Sequence, residues 1–375
     1  MSSDKSLARA RRQLRSLDLP EQAGKILNYS RYWTEEFYLQ LEDHCESLLF
    51  SDPVAGFQVA RVLPTLARRI HQHLTQTSPR KLDDLKRRRL RELEARALCV
   101  LGGSYRRLGN LAKSEAVYRQ ALDIDTISLS EQANLCRRLA ILRLNQGRIE
   151  EALTLVNGAI AIYRQEGNES FAKALMARGY IFLESGRYSE AVLDHAAALP
   201  YINAKKSPRA FHMAIHNICC ALTKGSAYPE DLGSAIQYLR EANRLTRTKR
   251  QSVPKLKLKW IQGILMNKLG FTRRGEMLLA NARQGLASLG SPFDVAMVSL
   301  DLSALYLREG RIWKLSVLAN ETFQMFGELE DPETLAALRL WYHAAQAEVL
   351  TSEMISITRE TLLSRQVAAQ RRLAS

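Results

Sequence analysis

The chain has 375 residues, of which 46% are hydrophobic and 25% charged, ordinary proportions for a folded soluble protein. Lys plus Arg number 54 and Asp plus Glu 39, a formal charge of +15 that bears on partners (nucleic acid, an acidic protein, a membrane surface) or only on a solvated basic face. Five cysteines, an odd number with no CxxC pair, fit a reducing cytosol better than a disulfide framework. The absence of any run of about 18 apolar residues argues against a transmembrane helix, and the lack of an apolar stretch near the N-terminus argues against a signal peptide, so the expected location is cytoplasmic with no membrane insertion.

In chain order, residues 4–18 predict a short basic amphipathic helix ending before Pro20. Residues 24–50 carry apolar positions at helical spacing. Asp52-Pro53 opens the next helix, with Asp52 as N-cap and Pro53 in the first turn, and Pro64 is expected to kink or interrupt it. Residues 75–89 turn polar and basic, which reads as a loop leading into a long charged helix.

From residue 90 a period appears: an apolar helix, a glycine turn, and a second helix containing alanines. Its copies are 98–122, 136–160, 175–199, a degenerate copy through IHNICCAL and LGSAIQYLREA, then 259–283 and 299–323. A last helix, TLAALRLWYHAAQAEVL, reads as a cap, followed by a polar helix over 353–373. The turn glycines Gly109, Gly147, Gly186, Gly270 and Gly310 stand 38, 39, 84 and 40 residues apart, the 84 being two units of 42. A residue with positive φ ends a helix cheaply when it is glycine.

These copies resemble the tetratricopeptide repeat family, whose first helix reads W-x2-L-G-x2-Y and second A-x3-F. The first copy supplies Leu98, Leu101, Gly102 and Tyr105, then Ser114 and Tyr118; the third supplies Leu175, Gly179 and Phe182, then Ala191. Small residues at Gly102, Ala140, Gly179, Gly263, Ala152 and Ala191 let two antiparallel helices approach closely. The resemblance is to a bacterial-type member with a lengthened repeat of about 40 residues. It implies an all-α fold, a TPR-like α-solenoid in which antiparallel hairpins wind into a right-handed superhelix over residues 90–350. Residues 1–89 are then an N-terminal helical region, either a diverged leading repeat or a separate unit, and 351–375 a C-terminal capping helix.

No catalytic constellation emerges: GxxxxGK[ST], a strand-borne GxGxxG, HExxH and GxSxG are all absent, so neither an enzyme nor a cofactor is expected. Gly102-Gly103 falls mid-helix and reads as close packing. His212, His216 and Cys220 share a helix face but lack a fourth ligand, and the packed-helix reading is preferred to a metal site. Trp33, Trp313 and Trp341 read as core, whereas Trp260 falls near the groove. The 81–96 cluster has interleaved acids able to pair at i,i+4. A basic patch of Arg244, Arg247, Lys249, Arg250, Lys255, Lys257 and Lys259 contains no acid.

In such a solenoid the first helices line the concave surface. The register puts Asn134, Arg137, Lys173, Tyr180, His216, Asn217, Lys257, Trp260 and Asn267 on or near that groove. This polar, mostly basic set suits an acidic or C-terminal-carboxylate-bearing peptide held by charge-assisted bonds. The Lys/Asn/Arg clamp of chaperone-binding family members is not reproduced in spacing. The expected function is a non-enzymatic interaction scaffold or regulatory adaptor for a protein or peptide, in a bacterial signalling or defence complex by analogy. The alternative is a nucleic-acid-associated regulator using the basic surface, and self-association of the chain is left open.

Overall fold

In the computed structural model six helix starts are capped by a side chain: Thr34, Asp52, Asp83, Asn110, Ser128 and Asn168 each accept from a backbone N–H of the helix they open. The structure describes residues 23–78, 83–125, 127–225, 229–245, 252–326 and 332–372, with a few positions before residue 20, so most of the expected 4–18 helix lies outside it. Sixteen α-helices and short 3-10 turns occur among the described residues, and no strand. No described helix is long and apolar enough to cross a membrane.

The chain divides into two units, residues 1–166 with 370–375, and residues 167–369. In the first, α1 (Glu35–Ser51) pairs with α2 (Pro53–Thr77), α3 (Asp84–Arg107) with α4 (Leu111–Leu122), and α5 (Leu129–Asn145) with α6 (Ile149–Arg164). Asp52 caps α2 by accepting from the N–H groups of Val54 (3.1 Å) and Ala55 (2.9 Å), with Pro53 in the first turn as expected. The interruption expected at Pro64 does not occur: α2 continues through the buried Pro64 to Thr77, because apolar packing of Leu63, Leu66 and Ile70 outweighs one lost backbone bond. The connection to α3 is correspondingly shorter than the predicted 75–89 loop.

In the second unit α7 (Glu169–Glu184) pairs with α8 (Tyr188–Ala198), α9 (Pro208–Gly225) with α10 (Pro229–Leu245), α11 (Val253–Lys268) with α12 (Thr272–Ser288), and α13 (Pro292–Arg308) with α14 (Ile312–Phe326). Then come α15 (Pro332–Gln346), packed on α14, and α16 (Ser352–Arg372), whose Ile355 and Leu362 join the core of Leu302, Leu338 and the fully buried Trp341. The degenerate fourth copy is thus a hairpin like the rest.

The five turn glycines have φ between 64° and 83°. After α5, Gly147 N–H donates to Leu144 O (2.9 Å) and Arg148 N–H to Arg143 O (2.9 Å), the double closure that satisfies the last carbonyls of a helix. The small residues do what spacing predicts. Ser114, Ala140, Ala152 and Ala191 are fully buried, and a Cβ on Gly102 would stand 2.7 Å from the Tyr118 ring. The residue sixteen positions on in the partner helix fills the same place each time: Tyr118 against Gly102, His195 against Gly179, Leu279 against Gly263. Within each unit the backbones of neighbouring first helices meet, α3 with α1 and α5, and α9 with α7 and α11, whereas successive second helices stay further apart. The first helices therefore form the inner layer of each unit.

Candidate functional site

The inner layer of the first unit is a closed polar network. Arg96 of α3 pairs with the buried Glu42 of α1 and reaches Glu131 of α5 at 3.9 Å. Arg138 of α5 donates to Glu46 of α1 at 2.7 Å. Both expected groove residues of this unit belong to the network: Asn134 donates to Glu131 (3.2 Å) and accepts from Arg137 (2.8 Å) and Arg138 (3.4 Å). Burial, then the neighbouring Arg138, pushes Arg137 down to about 10, while burial opposed by Glu46 leaves Arg138 above the usual arginine range. A second hollow of about 500 Å³ opens among Leu39, Leu93, Arg88 and Arg89. Its cations are paired, Arg89 with Glu35 at 3.0 Å and Arg88 with Glu92 at 3.7 Å, so the 81–96 cluster is neutralised partly as its interleaved acids suggest.

In the second unit the inner layer is built from the outward stripes of α7, α9, α11 and α13. Lys173 is exposed and pairs along its own helix with Glu169 at 3.3 Å. Tyr180 and Asn217 are half-buried. Lys257 holds Asp294 of α13 at 2.9 Å, and Trp260 Nε1–H donates to Asp301 of α13 at 2.6 Å. Asp301 also accepts from Arg359 of α16 at 2.6 Å, so its acceptors are occupied. Trp260 is therefore a strut between first helices. His216 faces inward: its Nε2 lies 3.4 Å from Cys220 Sγ and its Nδ1 is buried without a partner. Burial and then Lys257 drive it down to about 4. Among the described residues no group of three or more His, Cys, Asp or Glu is placed to hold a metal ion, His212, His216 and Cys220 included.

The basic patch divides. Arg247, Lys249 and Arg250 lie outside the described residues. Arg244 is paired with Glu241 (2.6 Å), Lys257 with Asp294, and Lys255, Lys257 and Lys259 share the first two turns of α11. Trp313 corrects its expectation as core: it stands 68% exposed on α14.

Sequence reasoning reached Asn267 but missed what surrounds it. A cleft of about 150 Å³ opens between α11 and α13, with Ile264, Leu279 and Leu305 as its apolar wall and Asn267, Lys268, Asp301 and Arg308 as its polar members. Lys268 and Arg308 stand two residues before Gly270 and Gly310, equivalent positions on neighbouring first helices. That recurrence of a cation before the turn was the available signal. The Asn267 amide oxygen is buried over Gly275, 1.8 Å from where a Cβ would be, and has no partner. Only glycine at 275 leaves it that room.

Residues 95–127 match the tetratricopeptide repeat family model. No curated protein matches the chain in sequence. Among solved structures the chain is similar to a Rap protein complexed with competence and sporulation factor, at 14% identity and a TM-score of 0.55, over 90% of this chain and 89% of that one. Weaker likenesses are to NprR in complex with its cognate peptide NprX, at 14% identity and TM-score 0.41 over 97% and 99% of the two chains, and to BtubC (BKLC) from P. vanneervenii, at 18% and 0.36 over 73% and 94%. Repeat match and fold likeness together make this chain an all-α helical solenoid that carries a tetratricopeptide repeat.

Proposed function

We propose that the chain is a non-catalytic regulatory adaptor that captures an acidic peptide or protein segment on its first-helix layer. The observation that carries this reading is the inner layer of the second unit. There, neighbouring first helices carry Lys173 and Tyr180 on α7, Asn217 on α9, and Asn267 at the cleft between α11 and α13, with α11 and α13 braced by Lys257–Asp294 and Trp260–Asp301. Preorganised polar groups on rigid helices lose little entropy on binding. The solved Rap protein of similar fold is bound to competence and sporulation factor, a precedent for the same scaffold holding a signalling factor.

The nucleic-acid alternative draws less support. Arg244 and Lys257 of the basic patch are engaged by carboxylates, and in the first unit Arg88, Arg89, Arg96 and Arg138 are engaged as well.

The test is affinity purification from the native host with mass spectrometry, comparing the natural chain with a Lys173→Glu, Asn217→Asp variant. Neither substitution breaks a strut between helices. The natural chain should enrich a defined partner that the variant loses. Equal capture by both would overturn the assignment to this layer.

A further inference from the structure

We propose that the edge of the second unit formed by the starts of α12 and α14 is a peripheral docking surface for an anionic lipid bilayer. Four large apolar side chains stand exposed on these second helices: Phe271 just before α12 (59%), Met277 on α12 (55%), and Trp313 and Val317 (51%) on α14. Glu276 of α12 accepts from Arg311 (2.7 Å) and Lys314 (2.8 Å) of α14, which draws the two helix starts together into one edge. Met277 and Val317 are each the seventh residue after their turn glycine, Gly270 and Gly310. In the first unit the same position holds the smaller Ala116 and Thr154, after Gly109 and Gly147.

The charge beside these side chains is basic. Arg311 is held by Glu276 and Glu309, and Lys314 by Glu276. Arg273 and Arg274 are exposed and have no carboxylate partner among the described residues. Both lie in the first turn of α12, where the backbone dipole favours acids. The second helices α6 and α8 follow that rule with Glu150, Glu151 and Glu190, whereas α12 and α14 carry no acid in the first turn. The fold gains nothing electrostatic from two arginines at that end, and an external anion offsets both. A bilayer supplies it: Trp and Phe settle at the headgroup level, Met and Val reach below them, and arginines meet lipid phosphates. A fluid surface also adjusts to side chains carried on two helices, so no matching shape is needed. A second copy docked through this edge would set like charges face to face, and nucleic acid gives Met277 and Val317 nothing apolar to enter. A single patch of this kind makes the attachment reversible, since stable anchoring takes more than one signal.

The probes are vesicles of phosphatidylcholine alone and of phosphatidylcholine with phosphatidylglycerol, sedimented with the full chain. The anionic vesicles should carry the chain down, and the neutral ones should bind at least about tenfold more weakly. Trp313 is the exposed one of four tryptophans, with Trp33 and Trp260 half-buried and Trp341 buried, so its emission should shift blue on anionic vesicles. That shift should vanish in Trp313→Phe while the chain still sediments. Phe271→Ser with Trp313→Ser should weaken binding about tenfold or more. Arg273→Glu with Arg274→Glu should do so at least as strongly. All four side chains are exposed, so melts of the variants should match the natural chain. Added salt, which leaves every side chain in place, should release the natural chain from the vesicles.

Equal binding to the two kinds of vesicle, or unchanged binding in either double variant, would overturn the assignment. So would sedimentation with no change in Trp313 emission, which would put the contact elsewhere on the chain. An equal blue shift with a single-stranded oligonucleotide would mark a nucleic-acid surface instead, and one that grows with protein concentration in the absence of lipid would mark a contact between copies.

Discussion

In the first unit Arg96, Arg137 and Arg138 of the first-helix layer each meet a protein partner: Glu42, Asn134 and Glu46. In the second unit Lys268 and Arg308, in the same layer, border a cleft and meet no carboxylate among the described residues. The same residue types at the same level of the architecture thus stand in two settings. Polar groups that close on one another stiffen a scaffold and are unavailable to a ligand. Groups left open cost the fold little and remain free to bind. The second unit also carries an imidazole at this crossing: His195, fully buried with both ring nitrogens unpartnered, occupies the place filled by Tyr118 and Leu279 in other hairpins.

His195 gives the largest expected effect. Burial and then the nearby His216 push its ring down to about 4, against about 6.5 when unfolded. The native state keeps it neutral, so the unfolded chain binds more protons between those values. The stability this neutrality represents is whole above about pH 6.5 and is lost as pH falls towards about 4, on the order of 3 kcal/mol. Thermal melts should fall steeply over that window. His195→Leu, which supplies the residue found at Leu279, should flatten the fall. A parallel profile in the variant would show that this ring is not the source.

Next in size is the closed network of the first unit. Glu42→Gln keeps the shape but removes the carboxylate from Arg96, whose remaining acid, Glu131, is 3.9 Å away. The loss should be about 2 kcal/mol, below the figure for a fully buried pair because a third of the Arg96 side chain is exposed. Denaturant titration measures it. A loss under about 0.5 kcal/mol, the size of an ordinary surface change, would mean the network is not the brace described here.

How far the sequence reaches follows the same division. Turn glycines and small helix-crossing residues were legible because each is a local demand: positive φ at Gly147, no room beside Tyr118 at Gly102. The last turn shows the limit, since Glu348 takes φ 60° with the same closure, Val349 N–H to Ala344 O at 3.0 Å, and no glycine marks it. Glu348→Gly should raise stability by about 1 kcal/mol, read as a higher melting temperature. The pairings Arg138–Glu46 and Lys257–Asp294 join residues 92 and 37 positions apart. Register assigned Arg137 and Lys257 to the inner stripes, and it had no means of showing that neighbours already hold them. Trp313 was misplaced for a related reason: helical spacing reveals an apolar stripe, not whether another helix covers it.

The smallest expected effect separates the two units most cleanly. Arg138→Ala removes an arginine whose side chain is 21% exposed and bonded to Glu46, and should cost about 1 kcal/mol. Arg308→Ala removes one that is exposed at the cleft and should change stability by less than about 0.5 kcal/mol. Paired melts of the two variants at neutral pH make the comparison directly. A residue kept for the fold and a residue kept for a ligand differ in what their removal does to the empty protein. An Arg308 variant destabilised as much as the Arg138 variant would place both arginines in the framework and remove the contrast between the units.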